Sequence, residues 1–223
     1  MHVGERIRFL HFCKLLKQKI DSPIQILDAG SGNGNYAFYL AKLFPRAKIT
    51  GIDISGEKID STSSIAHLLN LRNLSFTKKS LTNIKEIAKY ELVVCIDVLE
   101  HIENDFLAMR TLSNSLKLGG SLLLHVPKDR KQALRHFKRF KDFRIEDHVR
   151  EEYRIEEILK KVKHVGLEVK SLSYTHGWFG SLAWEIDQLL ILRLRKLRYV
   201  AFPFLYLLML ADVHLGNKNG NGF

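Results

Sequence analysis

Apolar residues recur along the chain in two rhythms, one helical and one of short continuous runs. Between residues 5 and 20 the positions Ile7, Leu10, Phe12, Leu15, Leu16 and Ile20 follow helical spacing, and Asp21, Ser22 and Pro23 then break it. The rhythms alternate from there. They predict strands at 24–29, 47–53, 74–77, 92–96 and 121–126, with helices at 35–44, 56–69 and 104–116 between them. Strands that are apolar on both faces need cover on both sides. The expected class is therefore α/β, a doubly wound, mostly parallel sheet.

Beyond Pro127 the alternation is interrupted. Residues 128–141 carry seven basic side chains against the single acid Asp129, with Phe137 and Phe140 among them, and 128–150 reads as a basic helical insertion. A helix at 155–165, a stop at Gly166 and a strand at 167–174 resume the pattern. A second addition at 178–215 is helical and strongly apolar. The expected organisation is an N-terminal helix (1–22), a central domain (23–176) and a C-terminal helical addition (177–223), with no internal repeat.

Composition narrows this picture modestly. With 46% hydrophobic residues in 223, one core with appendages is the natural expectation. A formal charge of +11 suggests an anionic partner: a lipid surface, a nucleic acid or a phosphorylated substrate. The two cysteines, Cys13 and Cys95, have no metal-like spacing, and Cys95 lies in an apolar run that suits a buried thiol, so no metal site is expected. Residues 1–16 mix Glu5, Arg6, Arg8 and Lys14 with apolar positions and lack the uninterrupted core of a secretory signal. The expected compartment is the reducing cytoplasm.

The chemistry concentrates where the first predicted strand ends. Asp28 is followed by Gly30, Gly32 and Gly34 at alternate positions, with Ser31 in the same turn and a helix directly after. Glycines there let the backbone turn sharply and let a ligand approach it closely, although a tight turn of purely structural use has the same look. A dinucleotide fingerprint would need its third glycine at position 35, which is Asn35. Asp28 would also repel a pyrophosphate lying across the turn. A cationic nucleoside such as S-adenosylmethionine, with a sulfonium and an ammonium and no phosphate, would be attracted instead. The second strand ends in Gly51-Ile52-Asp53, placing a carboxylate where it can accept from both ribose hydroxyls, with Ile54 able to lie against adenine.

In these residues the chain resembles the class I S-adenosylmethionine-dependent methyltransferases, in particular the small-molecule branch that includes the ubiquinone-biosynthesis enzymes. The likeness covers about 24–174 and extends to three further stretches: Cys95-Ile96-Asp97-Val98-Leu99-Glu100-His101, Leu118-Gly119-Gly120-Ser121, and Asp147-His148-Val149-Arg150-Glu151-Glu152-Tyr153. It implies a Rossmann-like methyltransferase fold, S-adenosyl-L-methionine as cofactor and S-adenosyl-L-homocysteine as product. By resemblance Asp28, Gly30, Ser31, Gly32 and Gly34 surround the methionine part, Asp53 the ribose, and the backbone from Cys95 to Asp97 the sulfonium side. Ser80 and Leu81 fall near the adenine amino group. Many relatives carry an acid at the place of Ser80, so a hydroxyl there weakens that contact or shifts it to the backbone. The family's sheet ends in an antiparallel strand, which would begin here at about residues 219–223; without it an open edge would favour pairing with a second copy.

Methyl transfer from a sulfonium is an in-line displacement, so alignment and exclusion of water are the protein's main tasks. An acceptor that must lose a proton needs a base, and His101 is the first candidate, with His148 second and His125 placed inside a strand. Each has a plainer reading: His101 as a helix-start residue, Asp97 and Glu100 as caps, His148 as an organiser of its loop. The expected acceptor is small or amphipathic. An RNA methyltransferase, or a non-catalytic membrane- or nucleic-acid-associated binding protein, is the alternative. The uncharged run 199–211, with Pro203 inside it and Arg193, Arg195, Lys196 and Arg198 before it, is too short for a standard spanning helix. It suits a helix lying on an anionic membrane surface, or a lid or dimer face.

Overall fold

Five apolar runs pair side by side into one parallel sheet. They are β1 (Gln25–Ala29), β2 (Lys48–Asp53), β3 (Leu74–Lys78), β4 (Tyr90–Ile96) and β5 (Leu116–His125), in the spatial order β3-β2-β1-β4-β5. The computed structural model describes residues 2–19, 24–128, 136–137, 153–193 and 197–223. These fall in two compact units, a sheet unit of 20–126 with 156–169, and a helical unit of 1–19, 127–155 and 170–223.

In the sheet unit the doubly wound parallel fold is as the alternation predicts. Ile26, Leu27, Ile49, Leu92, Val93, Val94 and Cys95 are all buried, which is what strands covered on both faces require. Between them run α2 (Asn35–Leu43), α3 (Gly56–Leu68) and α4 (Asp105–Ser115), with α5 (Ile155–His164) after β5. Local chemistry sets where the helices begin. The Ser55 hydroxyl accepts from the Lys58 amide at 3.3 Å to start α3, and the Asn104 side chain accepts from the Leu107 amide at 3.0 Å to start α4. The order places β1 beside β4, so successive crossovers leave in opposite directions from this pair. Open α/β sheets bind their ligands at the carboxyl ends of strands at such a switch point.

In the helical unit α1 (Val3–Lys19), α6 (Trp178–Arg193) and α7 (Leu197–His214) share a core of Val3, Ile7, Ala183, Leu205 and Met209. Three fully buried acids fix their contacts. Asp212 accepts from the Gly180 amide at 2.9 Å and meets His11 Nε2 at 3.0 Å. Arg198 donates to Asp187 through Nε at 2.5 Å and Nη2 at 3.1 Å, and Glu185 accepts from the amides of His136 and Phe137 at 2.9 and 2.7 Å.

Three expectations change. Residues 167–174 form no regular strand, because a strand exists only by pairing and among the described residues no backbone ladder pairs with this segment before the bridge at Thr175. Gly222 makes isolated antiparallel bridges to both Pro127 and Thr175, so the place expected for a final antiparallel strand is held by Asn221 and Gly222. The run 199–211 belongs to a longer helix. α7 continues through Pro203, one missing amide being tolerable where Leu205 and Met209 anchor the next turns. Its 18 residues, of mean hydropathy 1.3, are long and apolar enough to cross a membrane by length and composition. Most of the insertion 128–150, including His148, lies outside the described residues, as do Arg195 and Lys196.

Candidate functional site

The residues singled out between Asp28 and Asp97 converge at the carboxyl ends of β1, β2 and β4. Gly30, Gly32 and Gly34 have φ of 78°, 50° and 75°, a left-handed conformation that glycine adopts without a steric penalty. Gly30 is also confined by its neighbour. A Cβ there would lie 2.4 Å from Cγ2 of Val98, the residue after Asp97. A Cβ on Gly32 would meet nothing within 4 Å, so the middle of the turn faces open space. The amides of Gly30 and Ser31 both donate to the Ile52 carbonyl at 2.8 Å, tying the turn to the end of β2.

Asp53 completes that tie. Its Oδ2 accepts from the Gly32 amide at 2.8 Å and its Oδ1 from the Ser55 amide at 2.9 Å, so one carboxylate holds the glycine turn and the entry to α3. Asp28 lies beneath, 2% exposed, and accepts from the Ala37 amide in the first turn of α2 at 3.0 Å. Burial pushes its carboxyl up to about 7; the Ala37 hydrogen bond works against this and the charge of Asp53 adds to it. Burial also pushes the Cys95 thiol well above its ordinary range, with help from the negative charges of Glu100, Asp28 and Asp97. Cys95 therefore stays a neutral, inert thiol and contributes backbone only.

This arrangement fits a cationic nucleoside. Acidic groups gather around a backbone turn with open space at Gly32, and the buried Ser31 hydroxyl has no hydrogen-bond partner among the described residues. An unsatisfied buried hydroxyl beside a ligand turn is a group waiting for a ligand. Ile54 is 70% exposed at the end of β2, an apolar surface of the kind a purine covers. Ser80 is engaged differently from an adenine contact. Its hydroxyl accepts from the Thr82 amide at 3.3 Å and lies 2.9 Å from the Thr82 hydroxyl, starting the single turn Leu81–Asn83. Leu81 is buried there.

The candidate bases separate. His101 ends the short turn Leu99–His101 and is exposed, its amide donating to the Val98 carbonyl at 3.1 Å. His125 is buried at the end of β5, and its Nδ1 lies 2.6 Å from Asp97 Oδ1. The parallel register that sets Ile96 opposite His125 brings the two together, and the Asp97 amide donates to the His125 carbonyl at 3.1 Å. Asp97 holds φ at 53°, a conformation uncommon outside glycine and enriched at functional sites. Among the described residues no cluster of His, Cys, Asp and Glu is arranged to hold a metal ion.

A family model described as a methyltransferase domain matches residues 20–174. A ubiquinone biosynthesis O-methyltransferase of Rickettsia bellii is 28% identical over 135 residues, which is 60% of this chain and 55% of that protein. An (S)-coclaurine N-methyltransferase of Papaver somniferum is 25% identical over 108 residues, 48% of this chain and 31% of that protein. Across the curated relatives matched most strongly, the chain spans between 25% and 55% of their length. Among solved structures, a SAM dependent methyltransferase from Aquifex aeolicus superposes with a TM-score of 0.58 at 15% identity, over 77% of this chain and 92% of that one.

Proposed function

The chain belongs to the methyltransferase-domain family, and from that premise we propose that it is a class I S-adenosylmethionine-dependent methyltransferase acting on a small or amphipathic acceptor whose proton passes to His125, held by Asp97. The observation that carries this reading is the Asp97–His125 pair at the ends of β4 and β5, beside the strand that ends in the glycine turn.

The bound cofactor supplies an electrophilic methyl group on sulfur. The chain's own residues hold it and prepare the acceptor. Asp53 suits the ribose hydroxyls and Ile54 the adenine, while Asp28, the Ser31 hydroxyl and the backbone from Gly30 to Gly34 suit the methionine part. The Cys95 to Asp97 backbone would flank the sulfonium. An imidazole that donates Nδ1–H to a carboxylate carries its basic lone pair on Nε2, and the carboxylate stabilises the imidazolium formed when Nε2 takes a proton. His125 held in this way is a general base for a hydroxyl or an amine. The similarity to a ubiquinone biosynthesis O-methyltransferase of Rickettsia and a coclaurine N-methyltransferase of Papaver supports a small acceptor.

Calorimetry with S-adenosylmethionine, S-adenosylhomocysteine and NAD tests the cofactor. Micromolar binding of the first two and none of the third is expected, and the reverse would sink the reading. A methyl-transfer screen against lipid, quinone, sugar and RNA extracts tests the acceptor. Label entering only RNA would overturn the small-molecule proposal.

A further inference from the structure

The charge of this protein is divided unevenly between its units. The segments of the helical unit hold 21 Lys and Arg against ten Asp and Glu, the whole of the +11, while those of the sheet unit hold 14 of each. The distribution is sharper still over 170–223. All three acids there, Glu185, Asp187 and Asp212, are fully buried and held by the partners already described, Asp187 by Arg198, against six Lys and Arg in the same segment. In sequence Arg193, Arg195 and Lys196 come directly before α7, and Lys218 follows it.

α7 itself is two-sided. Leu205, Met209, Asp212 and Val213 form its buried half. On the opposite half Leu197, Val200, Phe204 and Leu207 follow the spacing i, i+3, i+7, i+10, and Tyr199 and Tyr206 lie along the adjoining stripe. These side chains are 38% to 80% exposed, and between Tyr199 and Ala211 the helix carries no charge. An exposed aliphatic and aromatic half-helix without acids, in a unit with this charge excess, is complementary to one kind of surface: acyl chains beneath anionic headgroups. RNA would use the bases and the tyrosines but has no use for Leu197, Val200 and Leu207.

We infer that the outward half of α7 docks this protein on an anionic lipid bilayer, lying in the interface. Crossing is disfavoured by its inward half. Arg198, near one end, is bonded to Asp187 of α6, and Asp212, near the other, to the Gly180 amide of α6 and to His11 of α1. Those bonds keep α7 on its own bundle. The inference is independent of the proposed methyl acceptor, since it concerns only where the protein resides.

The test is flotation of the full chain with phosphatidylcholine vesicles, with and without phosphatidylglycerol. The wild type is expected to float with the anionic vesicles at low salt, less at high salt, and little with phosphatidylcholine alone. The pair Val200→Glu and Phe204→Glu is expected to weaken that binding by at least about tenfold, with an unchanged melting temperature because both positions are exposed. If the pair fails to fold, Val200→Ser with Phe204→Ser is read in the same way. Absence of flotation at low salt overturns the inference, as does flotation that the folded variants leave intact. A dimer that these variants dissociate, without vesicle binding, would make a second copy the occupant. Retention of RNA in place of vesicles would make the surface a nucleic-acid one, and resistance to carbonate extraction would mean that the helix crosses. Cofactor binding by calorimetry reads out separately, so failure here leaves the methyltransferase reading standing.

Discussion

The buried acids of the helical unit and Asp28 of the sheet unit are treated differently by the fold. In the helical unit Asp212 accepts from the Gly180 amide and meets His11, Asp187 takes two hydrogen bonds from Arg198, and Glu185 takes amides from two residues. Each carboxylate there is compensated on the spot. In the sheet unit Asp28 has the Ala37 amide, a second acid nearby and little exposure, and its carboxyl is pushed up to about 7. A carboxylate that the fold itself satisfies is part of the scaffold, whereas one that the fold desolvates without satisfying is available to a cationic ligand. The contrast makes the first group matter for stability and the second for binding.

The largest effect should come from breaking compensation in the helical unit. Asp212→Ala would strip the Gly180 amide and His11 of their shared partner in a fully buried place, costing about 3 kcal/mol. Thermal unfolding measures it. Cofactor affinity at a temperature where the variant is folded should be unchanged, and a matching loss of affinity would erase the distinction drawn above.

Of similar size, but directed at the sheet unit, is Gly30→Ala. The new Cβ meets Val98 at 2.4 Å in a left-handed conformation, for a combined cost of about 3 kcal/mol in stability and a near-complete loss of cofactor binding. Adding Val98→Ala should recover part of the stability by removing the overlap. No recovery would mean that backbone strain alone is responsible.

His125→Gln should lower turnover by about 100-fold with cofactor affinity retained. Asp97→Asn should lower turnover less and shift the pH profile, because it acts through the imidazole. His101→Gln supplies the comparison. If it depresses turnover while His125→Gln does not, the exposed histidine is the base and the buried pair is structural.

How much of this was legible in the sequence depends on which contacts are local. The strands β1, β2 and β4 were legible because both of their faces are largely buried and so read as apolar runs. The glycine turn and Asp53 were legible because a strand end, its turn and its acid are contiguous in the chain. His125 was ranked behind His101 because its significance comes from register: Ile96 pairs with His125, and only then does Asp97 reach the imidazole. An alignment of the two predicted strand ends would have raised it. The segment 167–174 has the alternation of a strand, but alternation does not provide a neighbour. The uncharged run 199–211 read as too short to span because the helix extends beyond it at both ends, and tertiary contacts at Leu205 and Met209 carry that helix through Pro203.

The smallest effect expected is also the one that bears most directly on Asp28. The unfolded chain releases this proton near 3.8, and the folded chain holds it to about 7. Its contribution to stability is thus complete below the lower value and is lost as pH rises through the upper one, since in between the folded state binds the extra proton. A ligand carrying an ammonium and a sulfonium favours the ionised carboxylate, so binding must expel that proton. Affinity for S-adenosylmethionine should therefore rise about tenfold between pH 6 and pH 8, as the ionised fraction of a group titrating near 7 rises by that factor. Calorimetry in two buffers of different ionisation heat would detect the released proton directly. Asp28→Asn should bind more weakly and flatten the dependence, and it should remove the fall in stability between pH 4 and pH 7. A wild type whose affinity is flat across that range would mean that Asp28 only anchors α2 through Ala37, which would place it with the compensated acids of the helical unit.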